Sequence, residues 1–219
     1  MASPPKARAK ATAPRQGPSQ AWQAWRIADG RFDVFSPVGA SLVGGRWNSP
    51  GLGVIYASRS YAGAMLECLA HAGIGRVPRS HVATEIAIAA TVRVERHDES
   101  SLPAGWAHAD LRVARAFGDA WVRERRTAVL VVPSVVARRE GNVLLNPQHA
   151  DFKKVVAGSP DPVVWDARLF GRVEPDPVRS VGKGGLMNVV PSPAVLSTPI
   201  CELTGGQAAV RDRFLTAIC

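Results

Sequence analysis

At 219 residues, with 46% hydrophobic and 21% charged side chains, the chain has the length and composition to fold one full domain around its own core. Its net charge of +9 suggests a nucleic-acid binder until it is apportioned: Lys6, Arg8, Lys10 and Arg15 hold four of those charges within the first twenty residues, and only about +4 belongs to residues 21–171. Cys68, Cys201 and Cys219 form no C-x-x-C pair, no apolar run reaches the length of a membrane span, and no apolar h-region opens the chain, so a disulfide scaffold, a zinc site and a membrane protein are disfavoured and a cytoplasmic setting is expected.

Residues 1–20 are rich in Pro, Ala and Lys/Arg, with nothing large and apolar beyond Met1, and read as a disordered basic arm because so little surface can be buried to offset the entropy of ordering. Order is expected from residue 21, where Trp22, Trp25 and Ile27 are the first core candidates. A polar, Gly-rich stretch then ends in Gly44-Gly45-Arg46-Trp47-Asn48 and a Ser49-Pro50-Gly51 turn. Residues 53–57 (GVIYA) predict a short buried strand, and Ser58 or Ser60 caps a helix running to about residue 72. Residues 82–94 predict one or two strands, with alternation over 84–88. The spacing of Leu111, Ala114, Phe117 and Trp121 predicts a helix over 110–126. Residues 127–132 form a strand stopped by Pro133-Ser134, 143–145 a short apolar strand, Asn146-Pro147 the opening of a helical turn, and 163–165 a last strand. Helices and strands alternate without a βαβ rhythm, so the fold class is α+β, one mixed domain over 21–171. Residues 172–219, punctuated by prolines, form a Pro/Gly-rich tail of unknown structure in which only 207–218 reads as helical.

Glu67 is the one charged side chain between residues 61 and 70 (YAGAMLECLA). A helix apolar or small nearly all round is expected to be covered on most sides, so its lone carboxylate calls for a reason. Gly63, Ala64 and Ala70 on the same row leave room for a ligand beside it; a solvated glutamate is the plain alternative. Paired glycines before Arg46 let the backbone approach a ligand, and the guanidinium fork suits a diphosphate, although a turn with a surface arginine has the same sequence. Tyr56, in an otherwise aliphatic strand, offers a ring for stacking or merely a core hydroxyl needing a partner. Ser134 places a hydroxyl at a strand end, Asn146 can cap a helical turn, and Arg26 sits as a basic residue in apolar text where a structural ion pair would also serve.

Taken together, the stretch from Trp25 to Phe170 resembles the RES domain family, named for an arginine, a glutamate and a serine. The resemblance rests on W-R-I at 25–27, G-G-R-W-N at 44–48, V-I-Y-A at 54–57, Glu67, V-P-S at 132–134, L-L-N-P-Q-H-A-D-F at 144–152 and W-D-A-R-L-F at 165–170. It implies a fold like that of the ADP-ribosyltransferases and an NAD-consuming toxin that hydrolyses or phosphorolyses NAD or passes ADP-ribose to a protein. It further implies control by a helix-turn-helix (Xre-like) antitoxin and is compatible with a homodimer inside a toxin–antitoxin complex. On that carry-over Arg46, Tyr56, Glu67 and Ser134 are catalytic, and Arg26, Arg46, Asn48, Tyr56 and Asn146 bind NAD, which is substrate rather than cofactor; no metal is expected.

The chemistry is coherent on its own terms. Nicotinamide in NAD is already a cationic leaving group and needs no acid; a carboxylate such as Glu67 can stabilise the oxocarbenium-like ribose left behind. Arg46 can anchor the diphosphate, the Tyr56 ring can stack on nicotinamide, and Ser134 can bond a ribose hydroxyl or the carboxamide. A redox use of NAD is disfavoured because no G-x-G-x-x-G follows a strand. The remaining alternative is a non-catalytic basic module binding nucleic acid or protein, which would bind DNA with steep salt dependence.

Overall fold

Strands β1 (Trp22–Asp29) and β3 (His81–Ile88) pair antiparallel over their full length, from Trp22 opposite Ile88 to Asp29 opposite His81. In the computed structural model, which describes residues 21–72 and 79–170, this pair is one half of a mixed sheet. The basic arm at 1–20 and the tail at 172–219 lie outside the described residues, as do the expectations placed on them.

The other half is built from β2 (Ile55–Ser58), β6 (Gly141–Leu145) and β5 (Val129–Pro133), β6 running antiparallel to both neighbours, with β4 (Val94–Arg96) parallel to β5 at the edge. The order is β4-β5-β6-β2-β1-β3-β7, where β7 (Val155–Ala157) ends the sheet and β8 (Asp161–Pro162) also pairs with β3. Residues 129–132 and 143–145 are apolar without alternation because both faces of these strands are covered. Val129, Val131, Val143 and Leu145 pack on one face with Ala24, Ile86 and Ile88. Leu130, Val132 and Leu144 pack on the other against Trp121 and Val122 of helix α3 (Arg112–Arg123). Helix α2 (Tyr61–Ala72) sets Ala64 and Cys68 on Ile27 and Ala83 of the first half.

Ser60, of the two expected caps, starts α2: its Oγ accepts the Gly63 N–H at 3.0 Å. The helix is less enclosed than its sequence suggested, since Gly63, Ala64 and Cys68 are buried while Ala62, Leu66 and Ala70 face solvent. Other expectations are corrected. The helical turn begins at Ala150–Lys154 under a His149 cap rather than at Asn146. The last strand is Asp161–Pro162, and Val164 beyond it is 86% exposed. The six-residue helix α1 (Val38–Val43), in the stretch read as irregular, has no side-chain cap, so no capping signal announced it. Among the described residues no helix is long and apolar enough to cross a membrane.

The two halves meet at a single β-bridge. β1 makes eight residue pairs with β3 but pairs with β2 only at Trp25 opposite Ser58. Arg26, 4% exposed, spans the junction, donating from its terminal nitrogen to the Tyr56 carbonyl at 2.7 Å and from Nε to the Val34 carbonyl at 2.5 Å.

Candidate functional site

At this seam lies a cavity of about 440 Å³, within the range of roughly 300–1,000 Å³ usual for small-molecule sites. One wall is the G-G-R-W-N loop. Gly44 takes φ +72°, a left-handed conformation suited to glycine, and the Gly45 N–H closes the turn on the Asn48 carbonyl at 2.9 Å. Tyr56 Oη sits inside the turn, donating to Asn48 Oδ1 at 2.6 Å and accepting the Trp47 N–H at 3.1 Å. A Cβ on Gly45 would stand 2.4 Å from that hydroxyl, so the glycine makes room for the tyrosine. Burial pushes the Tyr56 phenol above its usual range, which keeps it a neutral donor.

Helix α3 holds the loop from behind. A Cβ on Gly118 would meet the Trp47 carbonyl oxygen at 1.9 Å, and Asp119 Oδ1 accepts the Ser49 N–H at 2.8 Å. Arg46 is thereby turned into the cavity, donating to the carbonyls of Trp106 at 3.3 Å and His108 at 3.0 Å. Burial lowers its guanidinium, and the charge of Glu67 acts in the opposite direction. A second guanidinium, Arg115 of α3, donates from Nε to the Gly45 carbonyl at 2.8 Å and also lines the cavity.

The facing wall carries Glu67, half-buried on α2. Its Oε1 accepts two hydrogen bonds, from Ser134 Oγ at 2.6 Å and from Asn142 Nδ2 at 2.8 Å. Ser134 lies just past the end of β5, 1% exposed, and its Oγ accepts the N–H groups of Val136 at 3.1 Å and Ala137 at 2.9 Å. The hydroxyl is thus committed to the turn and the carboxylate, and it fixes Glu67 rather than lining the cavity.

Arg26, Arg46, Tyr56 and Glu67 therefore converge on one cavity, with Ser134 directly behind Glu67. Asn48 and Asn146 do not line it. Both are fully buried: Asn48 donates to the carbonyls of Ala40 and Leu52, each at 2.8 Å, and Asn146 donates to the Val122 carbonyl at 3.2 Å and accepts the Gln148 N–H at 3.0 Å. Their amides brace backbone. Sequence reasoning missed Asn142 and Arg115. Asn142 follows Gly141 and reads as a turn residue before an apolar strand. Arg115 is one of several basic residues on α3, and nothing in its spacing singles it out.

In this α+β fold the seam gathers three guanidiniums, a braced carboxylate and an aromatic ring around one cavity of a size that admits a small molecule. The RES domain family model matches residues 23–166, and the chain belongs to that family. It is similar to the "Prs ADP-ribosylating toxin" of Sphingobium sp. (strain YBL2), 39% identical over 153 residues, covering 67% of this chain and 95% of that protein. It is also similar to a "Toxin Res" of Pseudomonas putida, 33% identical over 152 residues, covering 67% of this chain and 98% of that one. Among solved structures, a chain of the Mycobacterium tuberculosis MbcT-MbcA toxin–antitoxin complex shares the fold at TM-score 0.56 and 18% identity, covering 66% of this chain and 85% of that chain.

Proposed function

We propose that the chain is a toxin that binds NAD at the seam cavity and breaks its nicotinamide–ribose bond. The observation that carries this reading is the Glu67 carboxylate, fixed on one oxygen by Ser134 and Asn142 and lining the same cavity as Arg46, Arg115 and Tyr56. The C1′–N bond breaks with its electron pair passing to the pyridinium nitrogen, so nicotinamide leaves neutral and needs no proton. Positive charge develops on the ribose, where a preorganised carboxylate stabilises it more than it stabilises ground-state NAD. Arg46 and Arg115 hold the diphosphate, and the Tyr56 ring, its hydroxyl already bonded in the loop, offers its face to nicotinamide. The incoming nucleophile bonds to C1′ through its lone pair and releases its proton to solvent.

The acceptor is water, phosphate or a protein side chain; the likeness to a relative named as ADP-ribosylating favours a protein. Relatives named as toxins are in keeping with a cognate antitoxin; that it is of helix-turn-helix (Xre-like) type and blocks the cavity is part of the same proposal. Purified chain incubated with adenylate-labelled NAD, with and without phosphate and candidate protein, is expected to release nicotinamide and yield one labelled adduct. Intact NAD after prolonged incubation with folded protein overturns the reading.

A further inference from the structure

A second cavity, of about 520 Å³, opens on the outer part of the β1–β3 half of the sheet. Ala83, Ala87, Ala157 and Gly158 give it a floor of small groups, and its aromatic walls are Trp25 and Tyr61, packed edge to face with ring centroids 5.4 Å apart. The charged side chains on its lining are Glu85 and Asp161, both acidic, in a chain whose net charge is +9. Among the described residues neither forms an ion pair; Glu85 Oε1 accepts the Gln23 amide at 2.5 Å, and Asp161 is exposed. Aromatic faces beside carboxylates of this kind are the surroundings that recognise a Lys or Arg side chain, its aliphatic stem packing on the rings and its cationic tip drawn by cation–π attraction and by the carboxylates.

Two further observations point to a polypeptide as the bearer of that cation. Trp25 lines this cavity and the seam cavity alike, so an occupant here lies next to the site of bond breakage. The groove also borders β7, the last strand of the sheet, whose outer backbone groups give an extended segment something to lie along. We infer that this groove anchors a lysine or arginine side chain of the protein that accepts ADP-ribose, an inference that rests on the reading of the seam cavity given above.

The test uses the full chain and the double variant Glu85→Gln/Asp161→Asn, which removes both charges from the groove and leaves the seam residues intact. The Glu85→Gln change keeps a side-chain oxygen to accept the Gln23 amide. The probes are a short fluorescein-labelled Gly/Ser peptide carrying lysines, its arginine twin and its norleucine twin, followed by anisotropy, with nicotinamide release from NAD measured in parallel. The expected result is that one cationic peptide binds about tenfold tighter than the norleucine twin, that the double variant loses this preference, and that its nicotinamide release stays within about twofold of the original. Equal binding of charged and uncharged peptides, or undiminished cation preference in the double variant, overturns the groove while leaving NAD cleavage standing. Absence of nicotinamide release from the unaltered chain overturns the seam reading instead, and with it the acceptor role.

Discussion

Replacing Glu67 by glutamine isolates its charge. The hydrogen bonds that Ser134 and Asn142 donate to this side chain end on Oε1. The amide oxygen of glutamine can occupy that place and accept both, so the rotamer and the bracing of the turn after β5 survive while the negative charge is lost. Removing one preorganised electrostatic contact of this kind costs about 10²–10³ in rate, or roughly 3–4 kcal/mol. NAD affinity should change far less, because Arg46, Arg115 and the Tyr56 ring remain. Glu67→Ala behaves differently: it leaves the buried Ser134 hydroxyl and the Asn142 amide without their acceptor, which adds a stability loss of roughly 1–3 kcal/mol. The assay is single-turnover nicotinamide release beside equilibrium NAD binding and a thermal melt. Glu67→Gln that melts like the original chain and turns over within about threefold of it refutes the electrostatic role.

Arg46→Ala is expected to weaken NAD binding and turnover together, since it removes a diphosphate anchor; titration calorimetry and kcat/KM read the two effects. Ser134→Ala keeps the Asn142 bond but removes a charge-assisted one worth about 1.5–3 kcal/mol, so kcat should fall roughly 10- to 100-fold with KM little changed in steady-state kinetics. Gly118→Ala drives a methyl into the Trp47 carbonyl and should destabilise by roughly 1–3 kcal/mol or more, read as a lower denaturant midpoint at unchanged slope. Burial would raise the Asp29 carboxyl, but hydrogen bonds from the Arg31 side chain and backbone and from Ser80 outweigh it and hold its pKa at about 2 against an ordinary 3.8. A carboxylate depressed in the folded state contributes stability above the ordinary value and loses it as pH falls toward the folded one. With Arg31 largely exposed, that contribution is at most about 2 kcal/mol. Between pH 3.8 and about 2 the original chain should therefore lose more stability than Asp29→Asn, measured by melting across that range.

The parts of the fold legible in sequence were those with a strong period or an unbroken apolar run. Residues 53–57, 127–132 and 143–145 announced β2, β5 and β6, and the Leu111-Ala114-Phe117-Trp121 row announced α3. β7 and β8 were missed because they are three- and two-residue edge pieces held by pairing with β3, a nonlocal contact with no local pattern. At the site, Glu67 stood out as a charge in apolar text and Arg46 by its glycines. That Ser134 stands behind Glu67 was not legible, since a strand-end hydroxyl looks the same whether it faces a ligand or a carboxylate. Asn142 was invisible because its importance lies in register: the β6 pairing that sets Asn142 opposite Ser58 brings it to Glu67. Asn48 and Asn146 matched motif positions, and only the accounting of their amide bonds shows that they serve the scaffold.

The sparse contact between β1 and β2 bears on mechanics. In a continuous sheet each strand is clamped by hydrogen bonds along both edges; here β1 is zipped to β3 and tacked to β2 at one point, with Arg26 as a tie bar. A molecule that grips Arg46 on the β2 side and packs on Trp25 and Ile27 of β1 fills in for the absent rungs and works as a staple across the joint. Occupancy is then coupled to the cohesion of the whole sheet: each ligand bound to the folded state alone shifts the unfolding equilibrium in its favour.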